Sequence, residues 1–352
     1  MQTSAFIGTT KGGDFDIAEA EALSLLNSEG NPNGKPNSDV LKPILNGKDV
    51  LSRKPQRWLI DNAEQPLTEA CKYEQPHKLV VERVKIERDK NRDKWLRENW
   101  WKLQRVRTEM RSALVKVSRF IALPRVAKHR VCVWFQWPVV TDDQTVVFAR
   151  DDDFFFGLVQ ARIHQVWAYA QGTQVRERKS GFRYRPTVCF ETLPLPRPTP
   201  AQEAAIAAAA KELNELRERW LNPPEWTVER ILEFPGSANG PWARYIHKPD
   251  KNGIGTVRYP RLEPRDADCA ARLKKRTLTN LYNERPAWLD LAHQKLDAAV
   301  AAAYGWPADL TDEQILENLL ALNLERAAEE AKQASGKERE KTTREKRADE
   351  MI

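Results

Sequence analysis

The sequence of 352 residues has few cysteines and no long apolar run. Its four cysteines lie far apart without a CxxC pair, which argues against a structural zinc site or a disulfide framework. No stretch of 18 apolar residues is present to cross a membrane, and the opening MQTSAFIGTT lacks the basic and apolar regions of a signal peptide. We therefore expect a soluble, cytoplasmic protein with reduced cysteines and no membrane partner.

Motifs of the common catalytic and cofactor sites are also missing. The glycine clusters KGGDFD at 11–16 and NGIGTV at 252–257 lack the preceding strand and following helix of a cofactor-binding turn, so we interpret them as ordinary turns. P-loop, HExxH and GxSxG signatures are absent, and the five histidines do not have the spacing of metal ligands. The sequence predicts no catalytic residue, no metal site and no cofactor site in this chain.

Charge, by contrast, is abundant and unevenly distributed. The 57 lysines and arginines exceed the 50 aspartates and glutamates and give a net charge of +7, which favours an anionic partner. Residues 81–130 alone hold 16 basic and 6 acidic side chains, so the excess is concentrated in one segment. The 41% of hydrophobic residues is enough for a substantial core.

The pattern along the first 200 residues indicates a domain with both helices and strands. Tryptophan and leucine at helical spacing in 82–120 predict one or two amphipathic helices. Apolar runs at 130–137 and 144–150 predict strands of a hairpin or a mixed sheet. The acidic run 151–153 then predicts the N-cap of one apolar helix rather than a metal site.

The remaining chain divides at a proline-rich stretch that ends near residue 200. Residues 201–226 predict an alanine-rich helix and its stop, and 227–327 an irregular linker followed by helices around a Gly-Trp-Pro turn. A Thr311-x-x-Gln314 capping box opens the last helix, and 328–352 predict a charged, frayed or disordered tail. The predicted fold class is α+β: a mixed, partly antiparallel sheet with flanking helices in 1–200, then a long helix and a small C-terminal helical unit.

The pentapeptide NPPEW at 222–226 resembles the Asn-Pro-Pro-aromatic motif with which amino-group DNA methyltransferases hold a flipped base. Glu225 replaces the stacking ring, and the motif follows a charged helix instead of a buried strand. Because asparagine tolerates the left-handed conformation and proline cannot continue a helix, we interpret NPPEW as a helix stop. An active loop at Asn222 stays as an alternative, which DNA methylation by this chain, abolished in Asn222→Ala, would establish.

Three basic segments are candidates for contact with nucleic acid. The first, 81–101, is equally well explained as a solvated helix face. The second is PRVAKHR at 124–130, and the third is RERKSGFRYR at 176–185, where arginines that alternate with aromatic residues are able to reach base edges. The candidate DNA-binding residues are Arg83, Arg88, Arg92, Arg125, Lys128, His129, Arg130, Arg176, Arg178, Lys179, Arg183, Tyr184 and Arg185.

An ordered series of segments resembles the target-recognition region of MmeI-like type II restriction-modification methyltransferases and their relatives in phage defence. The resemblance covers roughly residues 5–200, and the piece at 278–307 is similar to the C-terminal segment of the same enzymes. Arg183-Tyr184 matches an Arg-Tyr pair of the family, whereas Arg185 stands where the family often has serine. The matching segments are AFIGTTKGGDFDI, NSDVLKPILNGKDV, RWLIDN, NRDKWLRENWW, SRFIALPRVAKHRVCVWF, VVFARDDDFFFGLVQARIHQVWA and FRYRPTVCFETLPLP.

The resemblance implies a sequence-specific DNA recognition module of an adenine-N6 DNA methyltransferase in a restriction-modification or phage-defence system. It implies double-stranded DNA as the partner, and S-adenosylmethionine as the cofactor of a methylase domain that this chain lacks. That domain would precede this region or belong to a separate methylase or defence subunit. The alternative is a protein-protein scaffold that docks a separate methylase through the helical surface of 201–330 and does not depend on the 176–185 loop.

Overall fold

The computed structural model describes residues 5–28, 30–52, 57–174 and 181–349, with the backbone alone at 174 and from 332 onward. The predicted DNA-binding residues Arg176, Arg178 and Lys179 therefore lie outside the described residues. Among the helices of the described part, none combines the length and the apolar character that a membrane span requires.

Short strands are spread along the chain, and the two longest follow residue 226. In chain order the strands are β1 (Ala5–Ile7), β2 (Asp16–Ala18), β3 (Leu41–Leu45), β4 (Arg57–Ile60), β5 (Phe120–Pro124), β6 (Val126–Ala127), β7 (Val133–Phe135), β8 (Val140–Thr141), β9 (Thr145–Phe148), β10 (Thr173–Gln174), β11 (Phe182–Arg183), β12 (Thr227–Ser237), β13 (Ile246–His247) and β14 (Ile254–Pro264).

The helices are short before residue 150 and longer after it. In chain order they are α1 (Glu19–Leu26), α2 (Gly47–Leu51), α3 (Leu67–Ala70), α4 (Glu74–Val80), α5 (Ile86–Arg88), α6 (Lys94–Glu98), α7 (Thr108–Leu114), α8 (Asp153–Gln160), α9 (Arg162–Gln171), α10 (Pro186–Cys189), α11 (Pro200–Leu221), α12 (Ala267–Leu273), α13 (Leu278–Glu284), α14 (Ala287–Tyr304) and α15 (Asp312–Asp349). A π-helical stretch, Val81–Lys85, joins α4 to α5, and 3-10 turns occur at Asn37–Asp39 and Ala243–Tyr245.

Two four-stranded sheets form the first half of the fold. One is antiparallel with the order β1-β9-β5-β7, and the other has the order β2-β4-β3-β8, in which only β3 and β8 run parallel. The structure therefore confirms the α+β class with mixed, partly antiparallel sheets. The strands predicted at 130–137 and 144–150 are β7 and β9, but they do not form a hairpin, because β5 lies between them and pairs Ile121 with both Trp134 and Phe148.

The segment 82–120 is not the one or two amphipathic helices that its periodicity predicts. It contains the end of the α4–α5 helical stretch, then α6 and α7, and finally the start of the buried strand β5. The apolar helix predicted after the acidic run is also two helices, because Ala161 between α8 and α9 has an extended backbone with φ −63° and ψ 158°. The N-cap prediction is confirmed, since Asp152 Oδ1 accepts from the N–H of Phe155 at 2.8 Å.

The stretch 227–265, predicted to be irregular, is a pair of long antiparallel strands, and that prediction is wrong. Strands β12 and β14 pair without interruption from Thr227↔Pro264 to Ser237↔Ile254. The prolines that suggested loops are tolerated because β12 is an edge strand, and β14 pairs with β13 only at Thr256 and Val257. The pair of strands β12 and β14 packs onto the sheet β2-β4-β3-β8, where the Trp242 ring stacks on Trp58 of β4 at 5.7 Å between centroids.

The helices after residue 200 belong to the same core as the first sheet. Phe156 of α8, Leu213 of α11 and Leu296 of α14 lie in one continuous buried cluster with Ile121 of β5. The residues before and after the predicted boundary at residue 200 therefore share one hydrophobic core. The capping box of α15 is confirmed, with Thr311 N–H donating to Gln314 Oε1 at 2.9 Å and Gln314 N–H donating to Thr311 Oγ1 at 3.2 Å.

Gly157 marks the point where α8 approaches α11 and α14 most closely. A Cβ atom there would lie 2.6 Å from Ile206 Cγ2 and 3.2 Å from Leu296 Cδ1. We expect Gly157→Val to lower the free energy of unfolding by about 1–3 kcal/mol, because extra methyl groups would force these helices apart. Urea denaturation measures the change, and Ala208→Val on the exposed face of α11 is the matched control. An unchanged midpoint for the glycine variant would show that this contact tolerates the added volume.

Candidate nucleic-acid interface

Two of the three predicted basic segments meet in a small antiparallel sheet, which we call the basic ribbon and define as β10, β11 and β6. Strand β11 is central, with Phe182 opposite Ala127 and Arg183 opposite Val126 and Thr173. The N–H of Tyr184 extends the pairing by donating to the carbonyl of Arg125 at 2.7 Å. The structure thus places 124–130 beside 182–185, although more than 50 residues separate them in the sequence.

The middle residue of the Arg-Tyr-Arg triplet is directed into the core. Tyr184 is 1% exposed, while Arg183 and Arg185 are exposed. Successive side chains of an extended backbone point to opposite faces, so the buried tyrosine directs both arginines towards solvent. The tyrosine hydroxyl lies 2.9 Å from His164 Nε2, which fixes the register of the strand.

Arg130 is also buried, at 5% exposure, and its guanidinium is occupied inside the protein. It contacts the carbonyls of Val159 and Ala161 and lies 3.2 Å from His164 Nδ1. Burial, followed by the charge of Arg130, lowers the pKa of His164 to about 3, so the imidazole is neutral at physiological pH. Arg130 and Tyr184 are therefore structural, which corrects their assignment as direct DNA contacts.

Lys128 and His129 connect the basic ribbon to the C-terminal helices. Both approach the same acceptor, Asn283 Oδ1 of α13, with Lys128 Nζ at 2.7 Å and His129 Nε2 at 2.9 Å. Lys128 is exposed and keeps further N–H donors for an outside partner. These two residues mark the edge of the basic surface.

The helical basic segment lies elsewhere, packed on the second sheet, and its three predicted contacts differ in environment. Arg88 is 2% exposed and donates to backbone carbonyls of two loops, so its assignment as a DNA contact is wrong. Arg83 pairs with Glu21 at 2.7 Å. Arg92 is exposed and stays a predicted contact.

NPPEW ends α11, as predicted, although its backbone differs from the predicted one. Asn222 has φ −126° and ψ 66°, so the left-handed conformation is wrong. Its N–H donates to the carbonyl of Glu218 at 2.7 Å, and its amide donates to the Glu218 carboxylate at 3.0 Å. The Trp226 ring lies under the guanidiniums of Arg272 and Arg276, at 5.6 and 5.1 Å. Both the amide and the ring are thus engaged in contacts within the protein.

The glycine clusters serve packing and turns. A Cβ on Gly12, which has φ +65°, would lie 2.7 Å from Gln104 Cβ, and one on Gly13 would lie 2.9 Å from Val84. This turn is therefore filled by neighbouring side chains. Gly253, with φ +76°, closes the turn that leads into β14. No group of three residues placed to hold a metal ion occurs in the described ranges.

Two arginines of the interface region, Arg105 and Arg107, were not among the predicted contacts. They lie beside Arg125 and Arg185 in a cleft of about 640 Å³. The signal in the sequence was the alternation of charged and apolar residues in Arg-Val-Arg at 105–107, which the helical interpretation of 82–120 overlooked.

Comparisons with known proteins identify a family and a similar fold. Residues 9–197 match a family described as MmeI, target recognition domain. Among solved structures, the chain is similar to the type IIL restriction-modification enzyme MmeI in complex with DNA, with 16% sequence identity and a TM-score of 0.64. The match covers 93% of this chain and 36% of that chain, so the likeness concerns the fold of about a third of the enzyme. No curated protein sequence matches the chain.

Proposed function

Since this chain belongs to the MmeI target recognition domain family, we propose that it binds duplex DNA as the sequence-recognition module of a restriction-modification methyltransferase. In this proposal the enzyme methylates adenine N6 in the cytoplasm. S-adenosylmethionine binds to a methylase domain outside this chain, in the same polypeptide or in a separate subunit, and the system acts in restriction or phage defence.

One observation carries the proposal: the basic ribbon presents Arg183 and Arg185 on one exposed face, held by the buried Tyr184 between them. Exposed arginines suit the major groove of B-DNA, where arginine is the side chain that most often reads guanine, through O6 and N7. The stretch between β10 and β11 adds Arg176, Arg178 and Lys179 in sequence. Arg183 and Arg185 are able to serve base edges or phosphates.

The ribbon is supported in a way that suits recognition. Tyr184, His164 and Arg130 form a buried polar group beneath it, with Arg130 extending to the carbonyls of α8. Base reading needs side chains held in place by a rigid scaffold, because a loosely held arginine discriminates poorly between bases. We assign these three residues the role of positioning the ribbon.

Charge reversal of the ribbon tests the proposal. We expect the quadruple variant Arg178→Glu, Lys179→Glu, Arg183→Glu and Arg185→Glu to lose about 100-fold in affinity for duplex DNA, because several phosphate and base contacts disappear together. Fluorescence anisotropy with a duplex selected by the wild-type chain from a random library measures the change. The affinity of the wild-type chain should also fall steeply as salt rises from about 50 to 200 mM.

A control on α11 separates local contact from a loss of overall charge. Lys211 and Arg219 are exposed, and their reversal to glutamate should change affinity by less than about threefold, since screening limits distant charges to about 10 Å at moderate salt. Absent or salt-insensitive binding by the wild-type chain would contradict DNA recognition. An unaffected quadruple variant would remove the ribbon from the interface.

A second candidate is a docking scaffold, and exposed leucines favour it. Leu291 of α14 and Leu320 and Leu324 of α15 are 64%, 54% and 63% exposed. If the chain acts mainly by docking a methylase subunit, Leu320→Glu with Leu324→Glu would abolish association with that subunit, measured by analytical ultracentrifugation. The ribbon variant would then associate normally.

A further inference from the structure

A second basic surface lies beside the basic ribbon, and we call it the arginine cleft. We propose that it binds the sugar-phosphate backbone of one DNA strand without regard to base sequence, an inference that rests on the proposed function. The cleft is lined by Arg105, Arg107, Arg125 and Arg185, with Thr108 and Thr187.

The first pair, Arg105 and Arg107, flanks a buried valine in a segment that is fixed in place. The backbone of Arg105 forms two hydrogen bonds with Thr10, at 3.0 and 3.1 Å. Val106 is 5% exposed and lies in a buried cluster with Trp58 and Val84, which anchors the segment. Arg105 and Arg107 on either side of it line the cleft. Arg105 is exposed and Arg107 is half-buried.

Arg107 has a left-handed backbone with φ 62° and ψ 54°, which is unusual for a residue other than glycine. Its Nε donates to the carbonyl of Gly8 at 3.3 Å, which orients the guanidinium. Holding a non-glycine residue in this region costs about 1 kcal/mol or more, and such strain is often found at binding sites.

The second pair flanks the strands of the basic ribbon, with Arg125 directly before β6 and Arg185 two residues after β11. Arg125 is fixed by its N–H, which donates to Gln144 at 2.8 Å, and by Nη1, which donates to the carbonyl of Asp143 at 2.6 Å. Arg185 immediately precedes α10, and its carbonyl accepts from the N–H of Cys189 at 2.8 Å. Since Arg185 also lies on the exposed face of the basic ribbon, the two surfaces are continuous.

The four arginines of the cleft form no ion pairs within the described part of the chain. No ion pair joins Arg105, Arg107, Arg125 or Arg185 to a described carboxylate, whereas neighbouring arginines are paired, such as Arg119 with Asp153 at 2.8 Å. Burial, and then the charges of Arg105 and Arg125 against that of Asp143, lower the pKa of Arg107, as expected where like charges converge. An anionic ligand would relieve this repulsion.

Phosphate fits the cleft better than a base edge does. Four arginines and two glutamates line the cleft, so its lining is net positive, and phosphates are the charged groups of DNA. The hydroxyls of Thr108 and Thr187 are further donors for phosphate oxygens, and apolar side chains such as Phe6 and Met110 provide a surface for a deoxyribose. Two carboxylates, Glu109 and Glu191, also line the cleft and oppose an anion.

The test uses the full chain with a selected duplex and a scrambled duplex of equal length. We expect each of the single variants Arg105→Gln and Arg107→Gly to weaken binding to both duplexes by about fivefold to tenfold. Each variant should also reduce the slope of log affinity against log salt by about one. Glycine suits the left-handed backbone at 107, so this variant should fold at least as well as wild type, which thermal denaturation checks. Arg219→Gln on α11 is the control and should change neither quantity.

A variant of opposite sign sharpens the result. Glu191→Gln removes a negative charge from the cleft and should strengthen binding to both duplexes by about twofold to threefold. Loss of discrimination between the duplexes in Arg105→Gln would assign the cleft to base reading and overturn the inference. If wild type binds DNA normally and both arginine variants have unchanged affinity, the cleft does not bind phosphate, while the proposed function still stands. A wild-type chain that binds neither duplex would reject the proposed function and the inference together.

Discussion

Replacing Arg88 by methionine is expected to lower the free energy of unfolding by about 3–5 kcal/mol. The guanidinium donates to carbonyls of two loops. Its Nη2 donates to the carbonyl of Lys11 at 2.9 Å, and its Nη1 donates to the carbonyl of Lys102 at 2.6 Å. Further bonds reach Gly12, Asn99 and Trp100. Methionine fills much of the same volume but has no hydrogen-bond donor. The buried carbonyls that accept from Arg88 would therefore lose their hydrogen bonds.

Urea denaturation of Arg88→Met and Arg92→Met measures this effect with a control from the same basic segment. Arg92 is exposed, and its replacement should change the free energy of unfolding by no more than about 0.5 kcal/mol. At a temperature where Arg88→Met stays folded, its affinity for DNA should equal that of wild type. Normal stability with lost DNA binding would instead return Arg88 to the interface.

Asp61 is the second position where a single change should have a large effect. Its Oδ2 accepts from Lys42 Nζ at 3.0 Å and from Arg111 Nη1 at 2.6 Å, and its side chain is fully buried. Asp61→Asn leaves two cations without their counter-charge in the protein interior. We expect the free energy of unfolding to fall by about 3–5 kcal/mol in urea denaturation at neutral pH. Glu69→Gln, which removes the exposed pair with Lys72, is the control and should cost less than about 1 kcal/mol.

The same carboxylate gives a pH dependence whose direction is fixed. Burial alone would raise the pKa of Asp61, but Arg111 and Lys42 outweigh burial and hold the pKa well below its usual range. The contribution of the ionised form to stability is therefore complete above about pH 4 and is lost as the pH falls towards the pKa in the folded state. Asp61→Asn should lack this acid-side loss. Parallel decreases in both proteins below about pH 4 would assign the acid sensitivity to other carboxylates.

The helix caps could be predicted from the sequence, because their hydrogen bonds join residues close together in the chain. The Thr311-Gln314 box and the Asp152 cap involve residues three positions apart, and both form as predicted. Pairing over long distances was not readable. The sequence of β5 does not indicate that this strand lies between β7 and β9. The prolines of β12 and β14 argued against strands, but they are tolerated because these strands have edges that pair with no neighbour.

The same limit applies to the candidate site. Arg88 and Arg130 occur in charge-rich sequence that also supplies exposed cations, and only tertiary packing shows that their guanidiniums bind carbonyls. Tyr184 was selected as a contact with its neighbours, yet the period of two along an extended strand buries it and exposes them. The nearness of Arg105 to Arg185 depends on the pairing of distant segments, which no local pattern reports.

The continuous cluster of Phe156, Leu213 and Leu296 has a consequence for how recognition specificity could be transferred between proteins. A recombination breakpoint at the proline-rich stretch before α11 would join a recognition segment to helices that evolved against a different surface, and the tight approach at Gly157 would be the first contact to fail. Exchange between relatives should therefore be tolerated when the breakpoints leave the helices with their own sheet. If the proposed function holds, a chimera must therefore carry more of the chain than the surface that would touch DNA.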